Sequence, residues 1–119
     1  MILEKIKETL EPLGIPVTPY IGDSKQPIYA VINELLEQPE MFADASEWLI
    51  GNYVQIDFIA KKNIESLVAR ASKLLKNAGF IRRERRSEYV PEAKVYRYML
   101  RVFLITEYEE VNENEQCTT

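Results

Sequence analysis

Between Trp48 and Tyr108 the spacing of apolar residues changes from two to about 3.6 and back to two, and this change of period restricts the possible folds more than any other property of the chain. Over Trp48–Ala60, Val54, Ile56 and Phe58 alternate with Tyr53, Gln55 and Asp57, the pattern of a strand with two unlike faces. Ile64, Leu67, Val68, Ala71, Leu74, Leu75 and Ala78 then share one face of a helix, separated mostly by polar residues such as Glu65, Ser66, Arg70, Ser72, Lys73 and Lys76. Asn63 is the expected N-cap and Gly79 the expected C-cap, while Glu65 in the first turn and Lys73 and Lys76 in the last suit the helix dipole. Phe80–Val90 and Lys94–Tyr108 return to strand composition around a turn containing Pro91.

Upstream the punctuation is different. Ile2, Leu3, Ile6, Leu10 and Leu13 recur at three- and four-residue spacing, which predicts an amphipathic helix over the first dozen residues, ended by Pro12 and Gly14. Pro16, Pro19 and Pro27 flank Gly22-Asp23-Ser24, so Val17–Ile21 reads as an edge strand followed by a turn. Ile28–Leu36 reads as a strand from Tyr29, Val31 and Ile32, although Asn33–Glu37 would suit a helix. Gln38–Glu47, with Pro39 and several acidic residues, reads as a connecting loop with room for a helical turn. The expected architecture is α+β, with two helices packed on one face of a mainly antiparallel sheet of about four to five strands. Residues 1–108 form one domain in this reading. Residues 109–119, acidic and almost without aliphatic anchors, form a disordered tail.

At 119 residues the chain can bury enough surface to fold as one domain without disulfide or metal. Cys117 is the only cysteine, and histidine is absent. That removes the commonest general base near neutral pH and the commonest transition-metal ligand, so catalytic triads, metal sites and bound cofactors are not expected. The four glycines are scattered and form neither a phosphate loop nor a dinucleotide fingerprint, and no enzyme reading gains support. No apolar run approaches the ~20 residues of a membrane span, and the mixed apolar and charged start Met1–Lys5 gives no secretory signal. A cytosolic setting without membrane partners follows as an expectation.

The net charge of -4 conceals three blocks: 3 Lys/Arg against 10 Asp/Glu over 1–58, 12 against 4 over 59–106, and none against 5 over 107–119. Opposite fields on one chain favour head-to-tail docking of a second copy. Arg82, Arg83, Arg85 and Arg86, joined by Arg97 and Arg101 if the last strands pair, are the densest basic group. Strict alternation puts Arg82 and Arg86 on one face and Arg83 and Arg85 on the other, which argues against a single anion pocket. Three readings stand open for these arginines: a subunit interface against acidic residues, a solvated face, or contact with nucleic acid. The seven tyrosines could stack bases, but on strands they more often pack half-buried. Asp57 is the carboxylate of most interest: facing the helices it would require a partner, because an unpaired buried carboxylate is costly, and a solvent-facing or interface role is the favoured alternative.

Several short stretches, in their order and spacing, resemble a family of small tail-terminator or tail-completion proteins of long-tailed bacteriophages and prophages. They are Pro27–Val31, Phe42-Ala43-Asp44, Tyr53–Phe58 followed by Lys61-Lys62, Leu75–Phe80 with Ala78-Gly79-Phe80, and Val95–Phe103, spread over most of residues 1–106. The resemblance implies helices against a sheet and self-assembly into a ring, commonly a hexamer, that ends the tail tube and joins it to the head. It implies as partners a tail-tube protein and a head-completion protein, with DNA only passing through the lumen. It places the protein in the bacterial cytoplasm during assembly and then in the virion tail. No functional residue carries over from the family. The charge pattern alone offers Arg82, Arg83, Arg85, Arg86, Arg97 and Arg101 as interface residues, with Asp44 and Glu47 of the Gln38–Glu47 loop as a second contact. The alternative is a nucleic-acid-binding α+β module using the same basic patch.

Overall fold

The computed structural model describes residues 2–41 and 48–107. Helix α1 (Ile2–Leu10) buries Ile2, Leu3, Ile6 and Leu10 and runs into a 3-10 turn over Glu11–Leu13. Pro12 is tolerated there because the first turn of a helix uses few of its own N–H donors. Gly14 closes the turn at φ 69°, its N–H donating to the Glu11 carbonyl at 3.0 Å. Helix α2 (Glu65–Asn77) is capped one residue later than the sequence suggests: Ile64 is the N-cap, its carbonyl accepting the Val68 N–H at 3.0 Å, while Asn63 stands just before it and accepts the Glu65 N–H on Oδ1 at 2.9 Å. Its far end follows the Schellman pattern, with the Gly79 N–H donating to Lys76 O and the Phe80 N–H to Leu75 O, at 3.0 and 2.9 Å.

Five strands, β1 (Val17–Pro19), β2 (Ile28–Met41), β3 (Trp48–Ala60), β4 (Ile81–Val90) and β5 (Val95–Glu107), form one sheet in the order β1-β2-β3-β5-β4. Only β1 and β2 are parallel. Helix α2 links β3 to β4 across β5, which lies between them. The α+β class and the mainly antiparallel sheet therefore agree with the sequence reading. Ala30 and Ile32 of β2, Val54, Ile56, Phe58 and Ala60 of β3, and Tyr98, Leu100, Val102 and Leu104 of β5 join the buried residues of both helices in one core cluster. These strand positions define the core face of the sheet. The alternate positions define its second face.

Strand β2 corrects the sequence reading. It continues past Leu36 to Met41, through residues expected to form a loop. The register with β3 runs from Ile28 opposite Ala60 to Met41 opposite Trp48, and it is broken by one bulge at Leu35. Pairing along a long partner overrides the local helical leaning of Asn33–Glu37, and the bulge disguises the alternation that would have announced a strand. Beyond Ile32 β2 has no β1 neighbour, so Pro39 lies on an edge, where a missing donor is tolerated. Asp44, Glu47, Phe42-Ala43 and the 109–119 tail lie outside the described residues.

Candidate functional site

Alternation places Tyr53, Gln55, Asp57 and Ile59 of β3 on the second face of the sheet, beside Arg97, Met99, Arg101 and Phe103 of β5. Next to them on β4 stand Glu84, opposite Arg101, Arg86, opposite Met99, and Glu88, opposite Arg97. The middle of this face holds a connected polar ladder. Asp57 accepts Arg97 Nη2 at 3.3 Å and Gln55 Nε2 at 3.1 Å. The other nitrogen of that guanidinium fork, Nη1, reaches Glu88 Oε1 at 3.2 Å. Arg101 donates through Nε to Gln55 Oε1 at 3.1 Å and lies 3.4 Å from Glu84, which also holds Arg86 at 2.8 Å. Three carboxylates and three guanidiniums are thereby balanced across β3, β5 and β4.

Asp57 is only 7 % exposed although it lies away from the core cluster. Its two oxygens are satisfied by Arg97 and Gln55, so the side chain lies on the face away from the core cluster, as the favoured reading had it, and still has the partners a buried carboxylate requires. Burial works against the charge of Arg97, but the attraction and hydrogen bonding of Asp57, and then of Glu88, outweigh it and hold the guanidinium pKa above its ordinary value.

A second bulge changes the arginine cluster. Between Arg82 and Glu84 the register with β5 slips by one residue at Arg83. Arg82 pairs with Val102 and Arg85 with Leu100, both core-face positions. Arg83 instead lies over the Phe103 ring, 5.8 Å from its centroid, and Arg86 is on the second face. The expected sharing of faces, Arg82 with Arg86 and Arg83 with Arg85, is therefore incorrect, because a bulge advances the alternation by one residue. Arg85 forms an ion pair with Glu65 of α2. Of the six arginines, Arg82 and Arg83 have no ion-pair partner among the described residues. The structure thus brings Arg86, Arg97 and Arg101 into one network and leaves the others at the β4 edge.

Gln55, Glu84 and Glu88 were missed by the sequence reading. The Gln55/Asp57 spacing signalled a shared face, but the glutamates became partners only through the strand register. Further along the same face the ladder gives way to apolar side chains: Tyr53 and Phe103 pack with ring centroids 4.6 Å apart, Ile81 stands opposite Phe103, and Ile105 is 42 % exposed. The tyrosines mostly pack: Tyr98 is buried, Tyr29, Tyr53 and Tyr96 are half-buried, and Tyr108 lies outside the described residues. No group of His, Cys, Asp and Glu among the described residues is arranged to hold a metal ion. No helix among them is long and apolar enough to cross a membrane.

No family model matches the chain, and no curated protein matches its sequence. Among solved structures, a chain in the virion of a native gene transfer agent (GTA) particle matches with a TM-score of 0.52 at 14% identity, over 87% of this chain and 92% of that one. At that identity the likeness is one of fold. The chain shares its α+β fold, over nearly its whole length, with a chain of a virion particle.

Proposed function

We propose that this protein is a structural virion subunit, a tail terminator or completion protein that assembles as a ring on the tail tube and joins it to the head. In this reading it has no catalytic role and no cofactor, and both helices lie on one face of the sheet. The observation that carries the reading is the fold held in common with a virion chain across almost the full length of both. The sequence stretches that resemble the tail-terminator family support it. Four of the five fall on described elements: the start of β2, the middle of β3, the end of α2 with its Gly79 closure, and β5.

The partners in this reading are further copies of the chain, a tail-tube protein on one rim and a head-completion protein on the other, with DNA passing through the lumen. The protein is made in the bacterial cytoplasm and ends in the virion tail. Four of the six arginines already hold carboxylates of their own chain, which leaves less positive charge for a nucleic acid and favours assembly over the binding-module alternative. The test is deletion of the gene from the particle-producing strain followed by electron microscopy. Tails of uncontrolled length without heads, restored to normal by the intact gene, are expected. Normal tails joined to heads in its absence would sink the reading.

A further inference from the structure

Among the described residues the sheet ends in two open backbone edges, one of acidic and one of arginine-rich sequence. On one side, β1 pairs with β2 only at Ala30, Val31 and Ile32. The chain then leaves the sheet at Tyr20, whose N–H donates to Ile32 O at 2.9 Å and whose φ of 65° turns the backbone so that the Ile21 N–H closes back on Pro19 O at 2.7 Å. From Asn33 to Met41 the outer edge of β2 therefore has no partner strand among the described residues. This stretch contains Glu34, Glu37 and Glu40 and no basic residue. On the other side, β4 is the terminal strand over its whole ten-residue length, and it carries Arg82, Arg83, Arg85 and Arg86 in five consecutive positions.

An open strand edge is a template for another strand, even where Pro39 withholds one donor, and a net positive strand, four arginines against Glu84 and Glu88, selects an acidic edge as its partner. We propose that neighbouring copies of this chain join edge to edge, β4 of one against the Asn33–Met41 edge of β2 of the next, so that the sheets become continuous around the assembly. The proposal rests on the ring reading and names its contact.

Three features fit. Acidic against acidic and basic against basic edges repel, so only the head-to-tail pairing is favoured, and a heterologous contact of this kind closes into a ring when its rotation allows. Strand β4 runs antiparallel to β2 within the chain, so copies related by rotation about an axis near the strand direction would meet antiparallel, the commoner pairing. Through β5 and β3, Arg82 lies level with Glu34 and Arg86 with Val31. Setting the arginines beside Glu34–Glu40 therefore offsets adjacent copies along the strands, the stagger that a closed barrel of tilted strands requires.

The test is sedimentation velocity of the full chain at low and high salt, with a β4 reversal (R82E/R83E), a β2 reversal (E37R/E40R), and a chain carrying both. Arg82 and Arg83 are chosen because no ion pair among the described residues is lost with them, and circular dichroism checks that each variant is folded. The expected result is a salt-sensitive oligomer of the native chain and monomers from each reversal alone. The oligomer should return both in the doubly reversed chain and on mixing the two singly reversed chains. A native chain that stays monomeric at the highest attainable concentration overturns the edge pairing, while the ring reading is still judged by the tails of the deletion strain. An oligomer that neither reversal disturbs also overturns it, leaves the ring reading standing, and moves the contact elsewhere.

Discussion

Asp57 shows how a single side chain can set the character of a sheet face. Its carboxylate is largely shielded from solvent, yet both oxygens are used, one by Arg97 and both by Gln55. Replacing Asp57 by Ala removes the anion and leaves a partly shielded guanidinium with Glu88 alone. A loss of about 1–3 kcal/mol in urea unfolding is expected, the cost of an unsatisfied or half-satisfied polar group, with D57N losing less because its amide oxygen can still accept from Arg97. Equal stability of native and D57A protein would mean that solvent takes over the role of the carboxylate. Tyr98 has an analogous position in the core. Its hydroxyl accepts the buried Ile64 N–H at 3.3 Å and lies 3.2 Å from Asn63 Oδ1, to which it donates. Y98F keeps the ring packing but orphans that N–H, and a drop of about 1–2 kcal/mol in the same measurement is expected. An unchanged midpoint would show that water replaces the hydroxyl as acceptor of the Ile64 N–H.

Element boundaries in this chain are decided by backbone conformations that few residues accept. Gly79 closes α2 at φ 100°, and a Cβ there would meet only Leu104 Cδ1 at an ordinary 3.6 Å. The cost of G79A is therefore conformational and not steric. It should lower stability by about 1 kcal/mol or more, read as a lower thermal midpoint with the far-ultraviolet spectrum retained. Gly22 poses the opposite case: a Cβ would come within 2.5 Å of the Tyr29 ring and 2.8 Å of Val31 Cγ2, so the loop after β1 can lie against the second face of β2 only without a side chain. The strands show where local propensity gives way. Helix α2 and β3 were legible because uninterrupted periodicity, and for α2 the Gly79 stop, agree with the packing. The full length of β2 was not, because the Leu35 bulge breaks its alternation and Glu-Leu-Leu-Glu-Gln favours a helix until β3 is beside it. The Arg83 bulge had the same effect on β4 and redistributed the arginines between the two faces.

At the scale of the whole molecule, charge that is segregated along the sequence is only partly segregated in space. The basic block folds its strands together so that Glu84 and Glu88 meet Arg86, Arg97 and Arg101, while the acidic block contributes Asp57 to the same ladder. The remaining contrast lies at the two sheet edges. A short single-stranded or duplex oligonucleotide is accordingly expected to give no saturable anisotropy change near physiological salt. Binding in the micromolar range that weakens steeply with added salt would restore the nucleic-acid reading of these arginines. By itself, the sequence determined the α+β class, the two helices, the central strand and the lack of a histidine-based site, because hydrophobic period, caps and composition act over a few residues at a time. Only the tertiary structure decided the length of β2, the partner of Asp57 and, among the described residues, which arginines are paired and which sheet edges are open. Each of those depends on strand register, and a single bulged residue shifts the register of everything beyond it.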